Sequence, residues 1–489
     1  MLTALKELLG AILAPLTLPL FYLGVGGTAL ASMFRRAEWA LYALIVVLPL
    51  PNFRYRFNAY PLGKDLIDIL LFSIFVGILI NKNGFKRSPN GVLLVLFIVV
   101  NYLALWNASL GLSMPLPITT DNPILADWKN YAEMIFLYFL VFNSVQDEKR
   151  QQVVTTIVAA VMLFIAVHEF RNFTEGDAFS YDRRVEGPFW VMGLGANHMG
   201  AFVAHYGAAM LGLYVLDDNK RRHWLYTATL LFSLHPLFFS YSRGAYVGAL
   251  AALGFIGLVK KRSYLVLLVV LVIFWQAVLP QTVVERISMT EAPTGELEAS
   301  AGKRVELWER AIELFQNNPI FGIGFGAFSY SVSIEGLTDT HNFYMRMLSE
   351  QGVIGFLLFV TVLLAAFRSG WRLYQLARTP YLKGLGLGFM GCVVATIITN
   401  LFGDRWSYFV LGGYFFVLWG VVDRGVRLSI EASEAHQESR PGYDVNEALA
   451  TPQGQLAGSQ PELTTAHAAT APRGSAPADR YSSSNAPMS

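Results

Sequence analysis

His341 is the residue of this chain best placed for acid–base chemistry. It follows a polar stretch, residues 281–339, and the apolar sequence resumes at Phe343. A neutral imidazole can accept a proton from a hydroxyl group, and its protonated form can pair with phosphate. The alternative is a histidine in a helix-capping segment, since Thr340 or Asn342 can serve as an N-cap. The residue types alone leave both roles open.

Cationic side chains near the same boundary could bind an anion. Ser242 and Arg243 occupy a very short turn between two apolar runs, where an arginine is costly unless it reaches water, a partner or a ligand. Arg304 and Trp308 have the spacing of one helix face, and Lys303 lies off that face. Arg243 could instead snorkel to the surface, and Arg304 could be a solvated surface residue. Guanidinium groups and an imidazole at a membrane surface suit an anionic, lipid-linked substrate.

Further polar residues lie on the same side of the chain. Arg184 and Asn197 bring another cation and an amide donor, although Arg184 could instead pair with a neighbouring acid. The last short loop holds Asp404 and Arg405, which we expect to pair with each other.

Membrane-spanning helices must position these residues. Of the 489 residues, 54% are hydrophobic and 15% charged, which excludes an ordinary soluble globule. A spanning helix needs about 20 apolar residues, and tracts such as 91–106 and 264–279 are nearly unbroken, unlike the alternating strands of a barrel. The single cysteine, Cys392, excludes disulfides and cysteine-based metal sites.

The distribution of charge predicts the topology. Lysine and arginine clusters recur in short loops and are assigned to the cytoplasm by the positive-inside rule. We predict an all-α fold, a polytopic membrane helical bundle of about 12 spans with a large external helical insertion. The candidate spans lie at 38–52, 65–81, 90–110, 129–145, 152–170, 197–216, 223–241, 244–259, 263–280, 343–367, 384–402 and 406–422. Within the insertion, residues 301–315 are predicted to form an amphipathic helix.

The predicted domains follow from these spans. They are an N-terminal apolar hairpin or interfacial segment (1–37), a transmembrane bundle (38–280), an external catalytic loop (281–342), C-terminal transmembrane helices (343–429) and a disordered cytoplasmic tail (430–489). The segment 8–34 is broken by prolines and glycines and could be a thirteenth span, but an even number keeps both termini inside. The tail is too poor in apolar residues to fold.

One glycine-rich segment resembles a nucleotide-binding fingerprint only superficially. Gly322, Gly324 and Gly326 lack the preceding strand, the full spacing and the acidic residue that the fingerprint requires. We predict a turn or a close-packed loop there.

The order of the short motifs resembles the O-antigen ligase and Wzy-type O-antigen polymerase superfamily. The residues that carry the resemblance are Ser242-Arg243-Gly244-Ala245, Arg304 with Trp308, Pro319 to Gly324, His341-Asn342 with Glu350 and Gly352, and upstream Arg184 with Gly187 and Asn197. The resemblance is sharp over roughly residues 180 to 360. His198 departs from the pattern, so it is left out of the expected site.

The resemblance implies a bacterial inner-membrane glycosyltransferase whose active site faces the periplasm. Such enzymes take a glycan from undecaprenyl diphosphate and pass it to lipid A-core in lipopolysaccharide assembly, to another lipid-linked repeat or to a protein hydroxyl. They need no metal, cofactor or nucleotide sugar, and no nucleic acid partner is expected. The family's essential histidine corresponds to His341, and its diphosphate-binding arginines to Arg243 and Arg304. The expected substrate-binding residues are Arg184, Asn197, Ser242, Lys303, Asn342 and Trp308.

Two functions of other classes compete with this one. A transporter or flippase for an anionic solute or a lipid-linked sugar would carry charges near the bilayer midplane and matched broken helices, whereas the charges here gather at one surface. A structural scaffold for envelope assembly would use the external cations for partner binding. Within the favoured class, the sequence does not separate ligase, polymerase and protein O-glycosylation activity.

Overall fold

The computed structural model describes residues 2–80, 84–174, 176, 180, 183–289 and 299–438. Of the described residues, those up to 433 belong to one compact unit and 434–438 to a second. The α-helices are α1 (Leu2–Phe34), α2 (Glu38–Val47), α3 (Pro51–Arg54), α4 (Leu66–Ile80), α5 (Gly91–Gly111), α6 (Pro123–Ser144), α7 (Glu148–Asn172), α8 (Ala196–Leu216), α9 (Lys220–Phe239), α10 (Arg243–Val259), α11 (Ser263–Ile273), α12 (Trp275–Val278), α13 (Gln281–Ser288), α14 (Ala299–Asn317), α15 (Phe328–Ser331), α16 (Phe343–Leu376), α17 (Pro380–Thr399) and α18 (Phe409–Glu438). Short 3₁₀ helices lie at Tyr55–Ala59, Gly187–Met192 and Asn400–Phe402.

The all-α prediction is confirmed, because the described residues contain no strand beyond one isolated bridge. A helix lies at each of the twelve predicted spans. However, only seven helices of the described chain are long and apolar enough to cross a membrane, and four more are apolar but shorter. The count of about twelve spans is therefore not confirmed. One predicted span, 263–280, is divided between α11 and α12 at Phe274.

The two ends of the chain depart from the predicted boundaries. The predicted N-terminal hairpin is wrong, because α1 continues as one helix past Pro15 and Pro19, and its part from Leu16 to Phe34 is long and apolar enough to span. A continuous helix keeps most backbone groups bonded within the segment, which a hairpin in lipid would not. At the other end, α18 extends past residue 430 to Glu438, so the tail begins later than predicted. Residues 439–489 lie outside the described residues.

Small residues bring the central helices together. A Cβ at Gly212 of α8 would overlap the backbone of Gly388 in α17, and one at Gly388 would overlap Ala209. Such close approach is how helices associate where lipid is as apolar as the side chains. Every residue in the most apolar window of α18 is buried. This packed centre supports the loops that join the helices.

The glycine-rich turn is a close-packed loop, as predicted. Gly322 and Gly324 both have positive φ, at 67° and 112°. A Cβ at Gly322 would overlap the backbone of Glu350, and a Cβ at Gly324 would overlap Ala108 of α5. The turn packs against a kink in α16, where Gly352 has non-helical torsions. The backbone N–H of Gly324 donates to the backbone oxygen of Glu350 at 2.7 Å. The turn therefore locks the polar insertion to the start of α16.

Replacing Gly324 by alanine should destabilise the protein more than the same change at Gly336. Both glycines have positive φ, which costs an alanine about 1–2 kcal/mol. Only Gly324 also lacks space for a Cβ, because nothing lies within 4 Å at Gly336, and overpacking adds about 1–3 kcal/mol. Thermal unfolding in detergent measures the difference. Equal losses for Gly324→Ala and Gly336→Ala would contradict the close packing.

Candidate active site

His341 lies in a strained turn just before α16. Its φ is 51°, in the left-handed region that a residue with a side chain seldom occupies. Asn342 caps α16, since its side-chain oxygen accepts from Tyr344 N at 3.0 Å and Met345 N at 3.3 Å. Thr340 Oγ1 donates to Asn342 O at 2.8 Å. Asn342, expected to bind substrate, is therefore engaged as the helix cap, and backbone strain at His341 is of the kind found at functional sites.

Asp339 accompanies the imidazole of His341. Its Oδ2 atom is 3.4 Å from His341 Nδ1, and the two side chains are 36% and 31% exposed. Burial lowers the pKa of His341 below its ordinary value; the carboxylate of Asp339 opposes this, and the positive charges of Arg304 and Arg405 add to it. The imidazole is therefore neutral near pH 7 and able to accept a proton.

Helix α14 brings Arg304 to this imidazole. The helix extends over 299–317, close to the predicted 301–315, and buries Leu307 and Ala311 against Phe328. Trp308 Nε1 donates to Thr340 O at 2.9 Å, which ties α14 to the turn of His341. The predicted common face of Arg304 and Trp308 is thus directed to the histidine turn.

Arg405 is a cation of this site that the sequence interpretation missed. The residue is 7% exposed, its Nη1 atom is 2.6 Å from His198 Nε2, and it donates to the backbone oxygen of Asp404 at 3.0 Å. The expected pairing of Arg405 with the Asp404 carboxylate is wrong. That carboxylate accepts from Arg346 Nη1 at 2.8 Å and from the backbone of Trp406. Burial lowers the pKa of the Arg405 guanidinium.

A buried ion-pair network holds the loops in place. Arg346 Nε donates to Glu350 Oε1 at 3.2 Å, while its Nη1 donates to Asp404. Glu350 is 2% exposed and also accepts from Gly326 N at 2.9 Å and Phe328 N at 3.3 Å. Thus α16, the glycine-rich turn and the loop before α18 are joined through two carboxylates and one guanidinium.

Comparison with known families fits this geometry. Residues 228–360 match the family model described as O-antigen ligase. The matched segment runs from α9 into α16 and contains Arg243, Arg304 and His341. The match supports the O-antigen ligase superfamily, so the resemblance predicted from the sequence is confirmed. The chain has no match among curated proteins.

The O-antigen ligase segment ends before Arg405 and begins after His198. Both residues nevertheless face the matched part, because the charges of His341 and Arg304 act on His198 and Arg405, respectively. The only sequence signals for these residues are an arginine in a very short loop and a histidine at the start of an apolar helix. Asp339 had no signal except its position two residues before His341.

Arg243 is the one predicted catalytic residue that the described contacts do not bring to the imidazole. It is the first residue of α10, and its Nη1 donates to Met289 O at 3.2 Å, just beyond α13. The charged groups that act on His341 are Asp339, Arg304 and Arg405. Residues 290–298, which follow Met289, lie outside the described residues.

Three of the expected substrate-binding residues hold the structure together. Arg184 donates to Asn197 Oδ1 at 2.8 Å and to the backbone oxygen of Ser240 at 2.6 Å, so it fastens α8 to the turn before α10. Ser242 caps α10 and is 6% exposed. These contacts give Arg184, Asn197 and Ser242 a positioning role, and their expected role in substrate binding stays a prediction.

Lys303 has an acidic partner among the described residues. It forms an ion pair with the exposed Glu335, in the loop after α15. Exposed pairs of this kind contribute little to stability. Its expected role in substrate binding gains no support from this contact.

A polar cavity of about 780 Å³ adjoins the site. Asp339, Arg346 and Tyr408 line it on the side of the site, and Asp127 and Tyr131 line it on the side of α6. Burial raises the pKa of Asp127 above its ordinary value. The cavity is large enough for a sugar-sized group next to Asp339.

Proposed function

We propose that the protein is a bacterial inner-membrane glycosyltransferase that moves a glycan from undecaprenyl diphosphate to an acceptor hydroxyl, as O-antigen ligases do. The observation that carries the proposal is the imidazole of His341, whose Nδ1 lies 3.4 Å from a carboxylate oxygen of Asp339 and on which the charges of Arg304 and Arg405 act. The match to the O-antigen ligase family over this same segment supports it. The charge pattern of the loops favours a periplasmic site.

The proposed reaction is a single displacement. His341 takes the proton of the acceptor hydroxyl, whose oxygen attacks the anomeric carbon, and the bond from that carbon to the diphosphate oxygen breaks. Asp339 stabilises the imidazolium that forms, as a carboxylate does in catalytic triads. The leaving diphosphate gains negative charge, which guanidinium groups in a desolvated site stabilise. The product has inverted anomeric configuration.

Asp339→Asn should lower the transfer rate by about 10²-fold, within the range of general-base effects. It should also shift the acid limb of the pH profile. His341 must be neutral, so the rate rises with pH through its pKa and then levels off. The carboxylate of Asp339 raises the pKa of His341. Removing this carboxylate therefore lowers that pKa and moves the acid limb of the rate profile to lower pH. Rates of glycan transfer between pH 4 and 8 measure this, and an unshifted limb would contradict the pairing.

Analysis of glycans after deletion of the gene tests the proposed function in cells. Loss of capping on lipid A-core indicates a ligase, collapse to single repeats a polymerase, and unglycosylated protein a protein O-glycosyltransferase. Complementation with the intact gene should restore the lost product. Unchanged glycans of all three kinds would remove the proposal.

A further inference from the structure

Arg405 is a buried guanidinium that no carboxylate among the described residues contacts directly. Within the described part of the chain, no carboxylate oxygen lies within 4.0 Å of its nitrogens, and its side-chain hydrogen bonds go to His198 and to the backbone oxygen of Asp404. By contrast, the guanidinium of Arg346 contacts two carboxylates. An arginine stays protonated in proteins, and an uncompensated buried charge is strongly unfavourable. The carboxylates of Asp339 and Asp404 act on Arg405 only from beyond 4.0 Å, so the guanidinium keeps donors for an anion that contacts it directly.

His198 offers a second donor beside this charge. Because Arg405 can only donate, the Nε2 atom of His198 must accept, which leaves the proton on Nδ1. That Nδ1 atom is buried and forms no hydrogen bond of good geometry among the described residues, although backbone oxygens of Gly195 and Asp404 are near enough to act on the ring. A buried N–H group without an acceptor is rare and unfavourable. The imidazole of His198 packs perpendicular to the ring of Tyr408, and the two ring centroids are 5.1 Å apart.

The surroundings define what kind of anion fits. Arg304 and His341 are close enough for their charges to act on Arg405 and His198. Asp404 forms its ion pair with Arg346, and Asp404 and Asp339 act on Arg405 only at longer range. A second cation beside Arg304 suits a ligand that carries two adjacent negative groups.

We propose that Arg405 and His198 form a phosphate-binding position, which takes one phosphate of the lipid diphosphate donor while Arg304 takes the other. This inference rests on the proposed function and deepens it. Arg405 contacts the leaving group and is a catalytic residue in that sense, and His198 both orients Arg405 and donates through Nδ1–H.

Binding of glycan-free undecaprenyl diphosphate to the full chain in lipid nanodiscs tests the proposal. Arg405→Met should raise Kd at least about tenfold, because a charge-assisted hydrogen bond is worth about 1.5–3 kcal/mol. His198→Phe, which retains a ring against Tyr408, should weaken binding about tenfold on the same ground. Arg310→Met is the charge-matched control. Arg310 is exposed on α14 and pairs with Glu313, so its loss should leave Kd unchanged.

Thermal unfolding without ligand separates binding from folding. Removing a buried charge that no described carboxylate contacts directly should leave the Tm of Arg405→Met equal to or above that of the wild type, and the rise in Tm on adding undecaprenyl diphosphate should be lost. Binding within twofold of wild type in both variants would overturn the proposal. So would an Arg405→Met protein that unfolds, provided that His198→Phe folds and binds normally.

The outcome is distinguishable from failure of the proposed function. Wild-type protein that binds the diphosphate lipid through Arg405 but transfers no glycan would remove the function and keep this site. Wild-type protein that transfers glycan while both variants bind normally would keep the function and remove this site.

Discussion

Replacing His341 by alanine should reduce glycan transfer by at least about 10³-fold, while the protein still accumulates in the membrane. General-base catalysis contributes about 10²–10⁴-fold, and the side chain of His341 is 31% exposed and pairs with Asp339. The measurement is the initial rate of transfer by purified variant and wild type, with membrane levels compared by immunoblot.

His341→Asn is the sharper form of this test. Asparagine tolerates positive φ, so it fits the turn at 51° without the base. It should be as inactive as alanine. His223→Ala, at the start of α9 beside Asn219 and far along the chain from the site, should retain activity. A His341→Asn enzyme with more than about a tenth of wild-type activity would exclude the imidazole as the base, since a general base is worth at least about 10²-fold.

Glu350→Ala should destabilise the protein by about 3–5 kcal/mol, the range for removing one partner of a buried ion pair. The substitution leaves Arg346 with one carboxylate instead of two. It also removes the acceptor for two backbone N–H groups, of Gly326 and Phe328. Unfolding of the detergent-solubilised protein, monitored by heat or denaturant, measures the effect.

Glu313→Ala is the matched control for that experiment. Glu313 pairs with Arg310, and each side chain is 57% exposed, so its loss should change stability by less than about 1 kcal/mol. Transfer activity should fall with Glu350→Ala as well, because the same carboxylate positions the loops around Asp339. A Glu350→Ala protein as stable as Glu313→Ala would show that the network does not hold the insertion.

The sequence was sufficient for the parts of the site that adjoin one another along the chain. His341 stood where polar sequence meets apolar sequence, and Arg304 with Trp308 had helical spacing, so both were predicted. Arg405 was missed because a neighbouring acid suggested local pairing. In the fold, Asp404 is taken by Arg346, 58 residues away in sequence. Pairing over such a separation is decided by packing, which spacing alone does not reveal.

The fold was predictable in kind but less so in its boundaries. Long apolar runs fixed the helices, because backbone groups in lipid must be satisfied within the segment. Helix α1 continues past Pro15 and Pro19, although these helix-breaking residues had suggested a hairpin. The same requirement for bonded backbone groups accounts for this. The low helix propensity of proline predicted a break there, but the need to satisfy backbone groups in lipid has the larger effect. The close packing of Gly324 on Ala108 joins distant segments and could be expected only as a compact turn.

The most direct test is reconstitution of the purified protein in liposomes with a radiolabelled glycan on undecaprenyl diphosphate and an acceptor, without nucleotide sugar. The account predicts that label appears covalently on the acceptor, with one undecaprenyl diphosphate released for each glycan transferred, and that Asp339→Asn and His341→Asn slow both together. Movement of the lipid-linked glycan across the bilayer with no labelled acceptor would contradict it and favour a transporter.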